Sequence, residues 1–250
     1  MNWNLIEYQT FTGKFNMDFD LQLVKNCSSE EAFLRFYGWN PYCISIGANQ
    51  SYDDINKNLA KINNIEIVKR PTGGRAILHS EELTYSVVIP NNKNVSGRII
   101  YEQISEAIVG GLRNFDPELN SVILENQQPN FSELLNEPSG ALCFASTAKS
   151  EIKFNGKKVV GSAQRKIGDK ILQHGSILIG KNHKNIVDYL NVSEENKFDL
   201  KNELNNKTIE LSTILKRNIE IFEIQQNIIL GFKNIFNTEF AKKEPTLLPI

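Results

Sequence analysis

Asn155-Gly156 and Gly168-Asp169 divide the stretch from residue 151 to residue 179 into three pieces. An Asn-Gly pair is the strongest short hairpin signal, because both residues accept a positive φ that strains others. Ile152-Lys153-Phe154 leads into the first turn, Lys157 to Gln164 returns, and Lys170 to Ile179 follows the second turn. The segment therefore reads as a meander of three strands.

The rest of the chain is mixed α and β. Trp3 to Tyr8 reads as a first strand and Phe15 to Val24 as a first helix. Phe33 to Tyr37 and Tyr42 to Ile46 read as a pair of strands, and Asp53 to Asn63 as a short helix with Ile55, Leu59 and Ile62 on one face. Ile65 to Val68 and Leu83 to Ile89 read as strands either side of the Gly73-Gly74 turn. Ile99 to Phe115, Asn185 to Leu190 and Glu220 to Phe236 carry apolar residues at helical spacing. Glu125 to Leu142 reads as loop and Ser193 to Lys207, almost wholly polar, as a linker.

Bulk properties exclude some classes. At 250 residues the chain is long enough for a sizeable core. A net charge of −1 gives no global field to recruit nucleic acid or an anionic membrane. No apolar run approaches the roughly 18 residues of a membrane span. Met1-Asn2-Trp3-Asn4-Leu5 lacks the basic and apolar regions of a signal peptide. Cys27, Cys43 and Cys143 show no paired or CxxC spacing, which points to neither a disulfide framework nor a metal site. The expectation is a reduced, cytoplasmic protein.

Lys69 to His79 concentrates the chemistry. Arg70, Arg75 and His79 flank a glycine pair that lets main chain approach a ligand closely. Lys158 stands beside the small residues Gly161, Ser162 and Ala163, where an ammonium can polarise a carbonyl or phosphoryl oxygen. A lysine in a Lys157-Lys158 pair is more commonly solvated, and a lone cysteine or histidine is more commonly structural.

Arg70-Pro71-Thr72-Gly73-Gly74-Arg75-Ala76-Ile77-Leu78-His79, followed by Glu82-Leu83-Thr84-Tyr85-Ser86, resembles the signature of lipoyl- and octanoyl-attaching enzymes. Gly156-Lys157-Lys158-Val159-Val160-Gly161-Ser162-Ala163-Gln164 is similar to their lysine motif, and Gln173-His174-Gly175-Ser176-Ile177-Leu178 to the strand after it. Cys43-Ile44-Ser45-Ile46-Gly47-Ala48-Asn49-Gln50 resembles the strand and loop before the signature. The resemblance implies the α+β catalytic fold of biotin/lipoate protein ligases, with mixed β-sheets flanked by helices. It implies one catalytic domain over residues 1–250, with residues 181–250 a mainly helical part packed on it. Substrate binding would fall to Arg70, Thr72, Gly73, Gly74, Arg75, His79, Gly161, Ser162, Ala163 and His174.

Two branches of that family differ in chemistry. ATP-dependent ligases activate a free acid as an acyl-adenylate and typically carry a third glycine where this chain has Arg75. Cysteine-dependent octanoyltransferases commonly read Arg-Pro-Thr-Gly-Gly-Arg-Ala and place a Cys-Phe pair shortly before the lysine. This chain has Cys143-Phe144, fifteen residues before Lys158. The resemblance thus implies that Cys143 takes an octanoyl or lipoyl group from acyl carrier protein as a thioester. Lys158 then stabilises its transfer to a lysine of a lipoyl domain, foremost the glycine-cleavage H protein. Neither cofactor nor metal is needed on this branch, whereas ATP and magnesium belong to the ligase alternative. A lipoyl-domain-binding protein without turnover is the non-enzymatic alternative. Arg70 and Arg75 would orient the carrier's acidic surface or a phosphate.

Overall fold

In the computed structural model, which describes residues 1–91, 95–125 and 151–245, strand β1 (Asn2–Phe11) runs parallel to β2 (Glu31–Trp39). A parallel pair requires a crossover, supplied here by α1 (Gly13–Asn26). Thr12 starts that helix by accepting from the Phe15 N–H. β2 then pairs antiparallel with β6 (Glu82–Pro90). The meander follows as β8 (Glu151–Phe154), β9 (Lys157–Ile167) and β10 (Lys170–Leu178), with β10 against β6. β7 (Val122–Glu125) and β11 (Phe240–Lys242) close an eight-stranded mixed sheet of order β11-β1-β2-β6-β10-β9-β8-β7. Its turns take the backbone the sequence calls for, with φ of 47° at Asn155, 78° at Gly156 and 59° at Gly168.

Along β2 the two faces separate cleanly. Leu34 and Phe36 enter the main core, with α3 (Gly97–Phe115) and α6 (Ile221–Phe236) over it. Ile104, Ile108 and Leu112 of α3 meet Ile224, Ile228 and Phe232 of α6 in that core. The helices approach so closely that a Cβ on Gly231 would lie 2.0 Å from the Ala107 carbonyl oxygen. Phe33, Arg35 and Tyr37 face the other way, toward α1. There Arg35 and Asp20, both fully buried, form an ion pair of 2.7 Å.

A second sheet of order β4-β3-β5 joins β3 (Cys43–Ile46), β4 (Glu66–Lys69) and β5 (Ile77–His79). Its apolar side chains pack with α2 (Lys57–Ile62) through Ala60 and with the 3₁₀ segment Asn182–Tyr189 through Ile186 and Val187. Leu200 and Leu204 of α4 (Glu194–Lys207) complete that cluster. α5 (Leu211–Leu215) enters the main core instead.

Several expectations are corrected. The strands around 33–37 and 42–46 do not pair, because β1 and β6 already occupy both edges of β2; the chain passes instead into the second sheet. Gly73-Gly74 is no simple hairpin, since β4 and β6 lie in different sheets and β5 intervenes. The stretch 53–63 breaks into a 3₁₀ turn (Tyr52–Asp54) and α2, leaving Ile62 exposed rather than beside Ile55. Residues 193–207 are no linker: Ser193 accepts from the Asn196 N–H as the cap of α4, whose polar residues face solvent while Leu200 and Leu204, one turn apart, are buried. The expected loop from 125 to 142 lies outside the described residues except at Glu125, which ends β7.

Candidate active site

The signature turn is held by Arg70. Buried at 4% exposure, its guanidinium donates to the carbonyls of Ser45, Gly73 and Arg75 at 2.9, 3.0 and 2.7 Å. A planar fork of fixed N–H groups suits such a task, since one side chain can gather three carbonyls. Gly74 takes φ 94°, and a Cβ on Gly47 would fall 1.9 Å from the Gly74 carbonyl oxygen. Both positions therefore exclude a side chain, whereas Gly73 faces open space. The Thr72 hydroxyl lies 2.6 Å from His174 Nε2, and the Thr72 carbonyl accepts from the Ala48 N–H.

His79 sits in a second polar chain. Its Nε2 is 2.7 Å from Ser45 Oγ and its Nδ1 is 2.7 Å from Glu82 Oε1. Trp39 stacks on the imidazole with centroids 4.0 Å apart. Burial pushes the Glu82 carboxyl up, but His79 and the hydroxyls of Ser176 and Thr84 outweigh it and hold the group below its ordinary value. Burial keeps His174 low, offset in part by Asp20. Burial drives Tyr85 up to about 12, against its hydrogen bonds with Ser162 and Gln173.

Between these groups lies a partly open cavity of about 30 Å³, lined by Met17, Trp39, Arg70, His79, His174 and the β9 residues Gly161, Ser162 and Ala163 among others. It holds a water-sized group as it stands. Thr72 reaches it through His174, while Gly73, Gly74 and Arg75 lie on the turn outside its lining. Arg70 turns its donors inward, onto the carbonyls of Ser45, Gly73 and Arg75, rather than outward to where a carrier's acidic surface would meet it.

Lys158 does not line the cavity. It precedes Gly161 by three residues on β9, roughly 10 Å along a strand. At 5% exposure it is buried, with Nζ 2.7 Å from Glu151 Oε1 on β8. Lys157 points outward and donates to the Asn205 carbonyl. Cys143 lies outside the described residues. Ser45, Glu82 and Glu151 are polar partners that the sequence reading missed. Glu82 and Ser45 were legible as parts of the quoted motifs, but Glu151 gave no signal beyond its place near a strand.

The profile of the lipoyl protein ligase A/B catalytic domain family matches residues 12–233. The chain belongs to that family. It is 33% identical over 245 residues to octanoyltransferase LipM of Exiguobacterium sp., covering 95% of this chain and 88% of that protein. Octanoyltransferase LipM of Bacillus subtilis (strain 168) is 31% identical over 249 residues, covering 97% of this chain and 89% of the other. With these relatives the chain stands among the acyltransferases of the lipoyl protein ligase A/B family. Among solved structures, a bi-partite lipoate protein ligase from Thermoplasma acidophilum matches with TM-score 0.77 and 18% identity over 98% of this chain and 87% of that one. Lipoate-protein ligase A bound with ATP matches with TM-score 0.76 and 18% identity over 98% and 89%. Both share the α+β catalytic fold. No helix among the described residues is long and apolar enough to cross a membrane.

Proposed function

We propose that the protein transfers an octanoyl group from acyl carrier protein to a lysine of a lipoyl domain, such as the glycine-cleavage H protein, through a thioester on Cys143. One observation carries the reading: a buried lysine, paired with a buried carboxylate, stands on the same strand as the wall of a small cavity. The octanoyltransferase relatives supply the class of acyl group. The acyl tail occupies the cavity, with its carbonyl toward Lys158. At about 30 Å³ the cavity has to widen before it can take an eight-carbon chain. Met17, an unbranched and adaptable side chain, is the wall residue most able to yield.

The chemistry balances without an external energy source. The Cys143 thiolate attacks the donor thioester carbonyl, and the carrier's thiol departs and takes up a proton. The Lys158 ammonium stabilises the oxyanion formed in that step. The acceptor amine then attacks the enzyme thioester, Cys143 leaves as thiolate, and the amine proton passes to Glu151 or to solvent. The thioester already carries the activation that a free carboxylate lacks, so neither ATP nor a metal enters.

The deciding assay compares two acyl sources. Purified protein and a lipoyl domain should give modified domain from octanoyl-carrier protein without ATP or magnesium, and negligible product from free octanoate plus both. Robust modification from free lipoate with pyrophosphate release would replace the transferase by a ligase.

A further inference from the structure

Lys158 sits where β9 outruns its neighbour. The β9–β10 ladder ends at Val160, paired with Ile177, which leaves the main chain of Lys158 beyond the reach of β10. On the β8 side the register shifts between Ile152 and Lys153, so Lys153 opposes Lys158 while Ile152 opposes Val160. That shift places an extra residue, Val159, immediately after the lysine. Such a bulge re-aims the side chains beside it and loosens the local ladder. Regular sheet pairing is therefore weakest at the position that the transfer reaction asks to be most exact.

A segment from far along the chain fills the gap. Thr208 forms a parallel bridge with Lys158, and the Ile209 N–H donates to the Lys158 carbonyl at 3.0 Å. Three residues on, the Ser212 N–H donates to the Ile179 carbonyl, just beyond the end of β10. The segment is itself anchored from below. Thr208, the C-terminal cap of α4 and 1% exposed, donates its hydroxyl to the Leu204 carbonyl at 2.7 Å. Thr208 Oγ1 also lies 3.1 Å from His183 Nε2, and the ring's Nδ1 lies 3.2 Å from the Gly180 carbonyl oxygen. Glu210, 1% exposed, pairs with Lys184 at 2.7 Å and approaches His183 Nε2 at 3.7 Å. His183 and Lys184 both belong to the 3₁₀ segment packed against the small sheet. The support thus runs from the second sheet, through His183 and Thr208, to the backbone of Lys158.

We propose that Thr208, held by His183, is a positioning residue for Lys158: it completes the sheet at the bulge and fixes where the ammonium stands during acyl transfer. The inference rests on the role given to Lys158 under the proposed function. It assigns the Thr208–Glu210 segment a share in catalysis without any contact to the substrate. The hydroxyl is the part to test, since it meets both the Leu204 carbonyl and His183, alongside the Thr208 N–H that also donates to Leu204.

The test measures octanoyl transfer from octanoyl-carrier protein to a lipoyl domain in the full-length protein, with a thermal unfolding midpoint for each variant. Thr208→Val keeps the shape and removes the hydroxyl, and should lower kcat by roughly five- to tenfold, the worth of one net hydrogen bond, with donor KM within about twofold. Thr208→Ser restores the hydroxyl and should return kcat to near the parent value. In a Lys158→Ala background Thr208→Val should add no further loss, because the two changes act through one group. Parent-like kcat in Thr208→Val, an equal loss in Thr208→Ser, or a full additional loss in the Lys158→Ala background overturns the positioning role. Should Thr208→Val fold poorly, His183→Gln carries the same three comparisons through loss of the imidazole beside Thr208. A Lys158→Ala protein with undiminished turnover would instead sink the proposed function itself, so the two failures are distinguishable.

Discussion

Lys158 and Glu151 face one another across β8 and β9, Nζ and Oε1 2.7 Å apart, with side chains 7% and 6% exposed. A buried ion pair adds little net stability, because desolvation of the two charges offsets their attraction. Its use here is to hold the lysine side chain in one place, in a site screened from water. Neighbouring Lys157 reaches an exposed carbonyl instead.

Lys158→Ala should therefore lower turnover by about 10²–10³, the loss typical of removing one preorganised electrostatic donor. Lys158→Arg should not restore it, since a planar guanidinium differs in shape and donor geometry from a compact ammonium. Lys157→Ala should leave turnover near the parent value. Steady-state rates of lipoyl-domain modification decide the matter, and equal losses at 157 and 158 would show that the wrong lysine has been placed in the site.

Incubation with octanoyl-carrier protein should add one octanoyl mass to Cys143, labile to hydroxylamine and absent from Cys143→Ser. Cys27 and Cys43 should not be labelled. Both are buried, and burial raises their thiols, Cys27 to about 11 and Cys43 well above the ordinary value, so neither offers thiolate at neutral pH. Intact-mass and peptide spectra give the answer; transfer at the parent rate by Cys143→Ala would refute the thioester route.

Stability should fall on the acid side in two stages. His174 is held below its ordinary value near 6.5, so the unfolded chain binds its proton more readily and stability declines once the pH drops below that value. Asp20 is also depressed: burial pushes it up, yet Arg35 and His174 outweigh burial. Its contribution is complete above the ordinary carboxylate value of 3.8 and is lost as the pH falls through the lower folded value. Denaturant midpoints taken between pH 8 and pH 3 should show both stages, and Asp20→Asn should cost on the order of 3–5 kcal/mol by stranding the charge of Arg35. A flat profile across this range contradicts the assignment.

Gly47→Ala and Gly74→Ala should each destabilise the protein by more than about 1 kcal/mol. The first brings a methyl group onto the Gly74 carbonyl oxygen, and the second strains a residue at φ 94°. Gly73→Ala meets no atom within 4 Å and should be nearly neutral in unfolding midpoint. A large loss at Gly73 with none at Gly47 would mean that the turn is packed differently.

Local chemistry made part of this protein legible in the linear sequence. Asn155-Gly156 and Gly168 mark their turns because few other residues accept positive φ, and the turns alone delimit the three strands that carry Lys158 and His174. The helices at 97–115 and 221–236 follow from apolar residues recurring at helical spacing. Two-residue alternation likewise separates buried Lys158 from outward Lys157.

Tertiary structure decided what depends on partners distant in the chain. Whether two strands pair is set by which sheet edges remain unfilled, so β2 and β3 separate although only three residues lie between them. Arg70 reads as a surface cation until the carbonyls it gathers are in place. The charged stretch 193–207 reads as a linker until the small sheet offers Leu200 and Leu204 a surface to bury against. Glu151 and Thr208 carry no signal of their own; their importance comes from meeting Lys158 in the folded chain. A buried charge and an unpaired carbonyl each need a partner, and only the fold selects which residue supplies it.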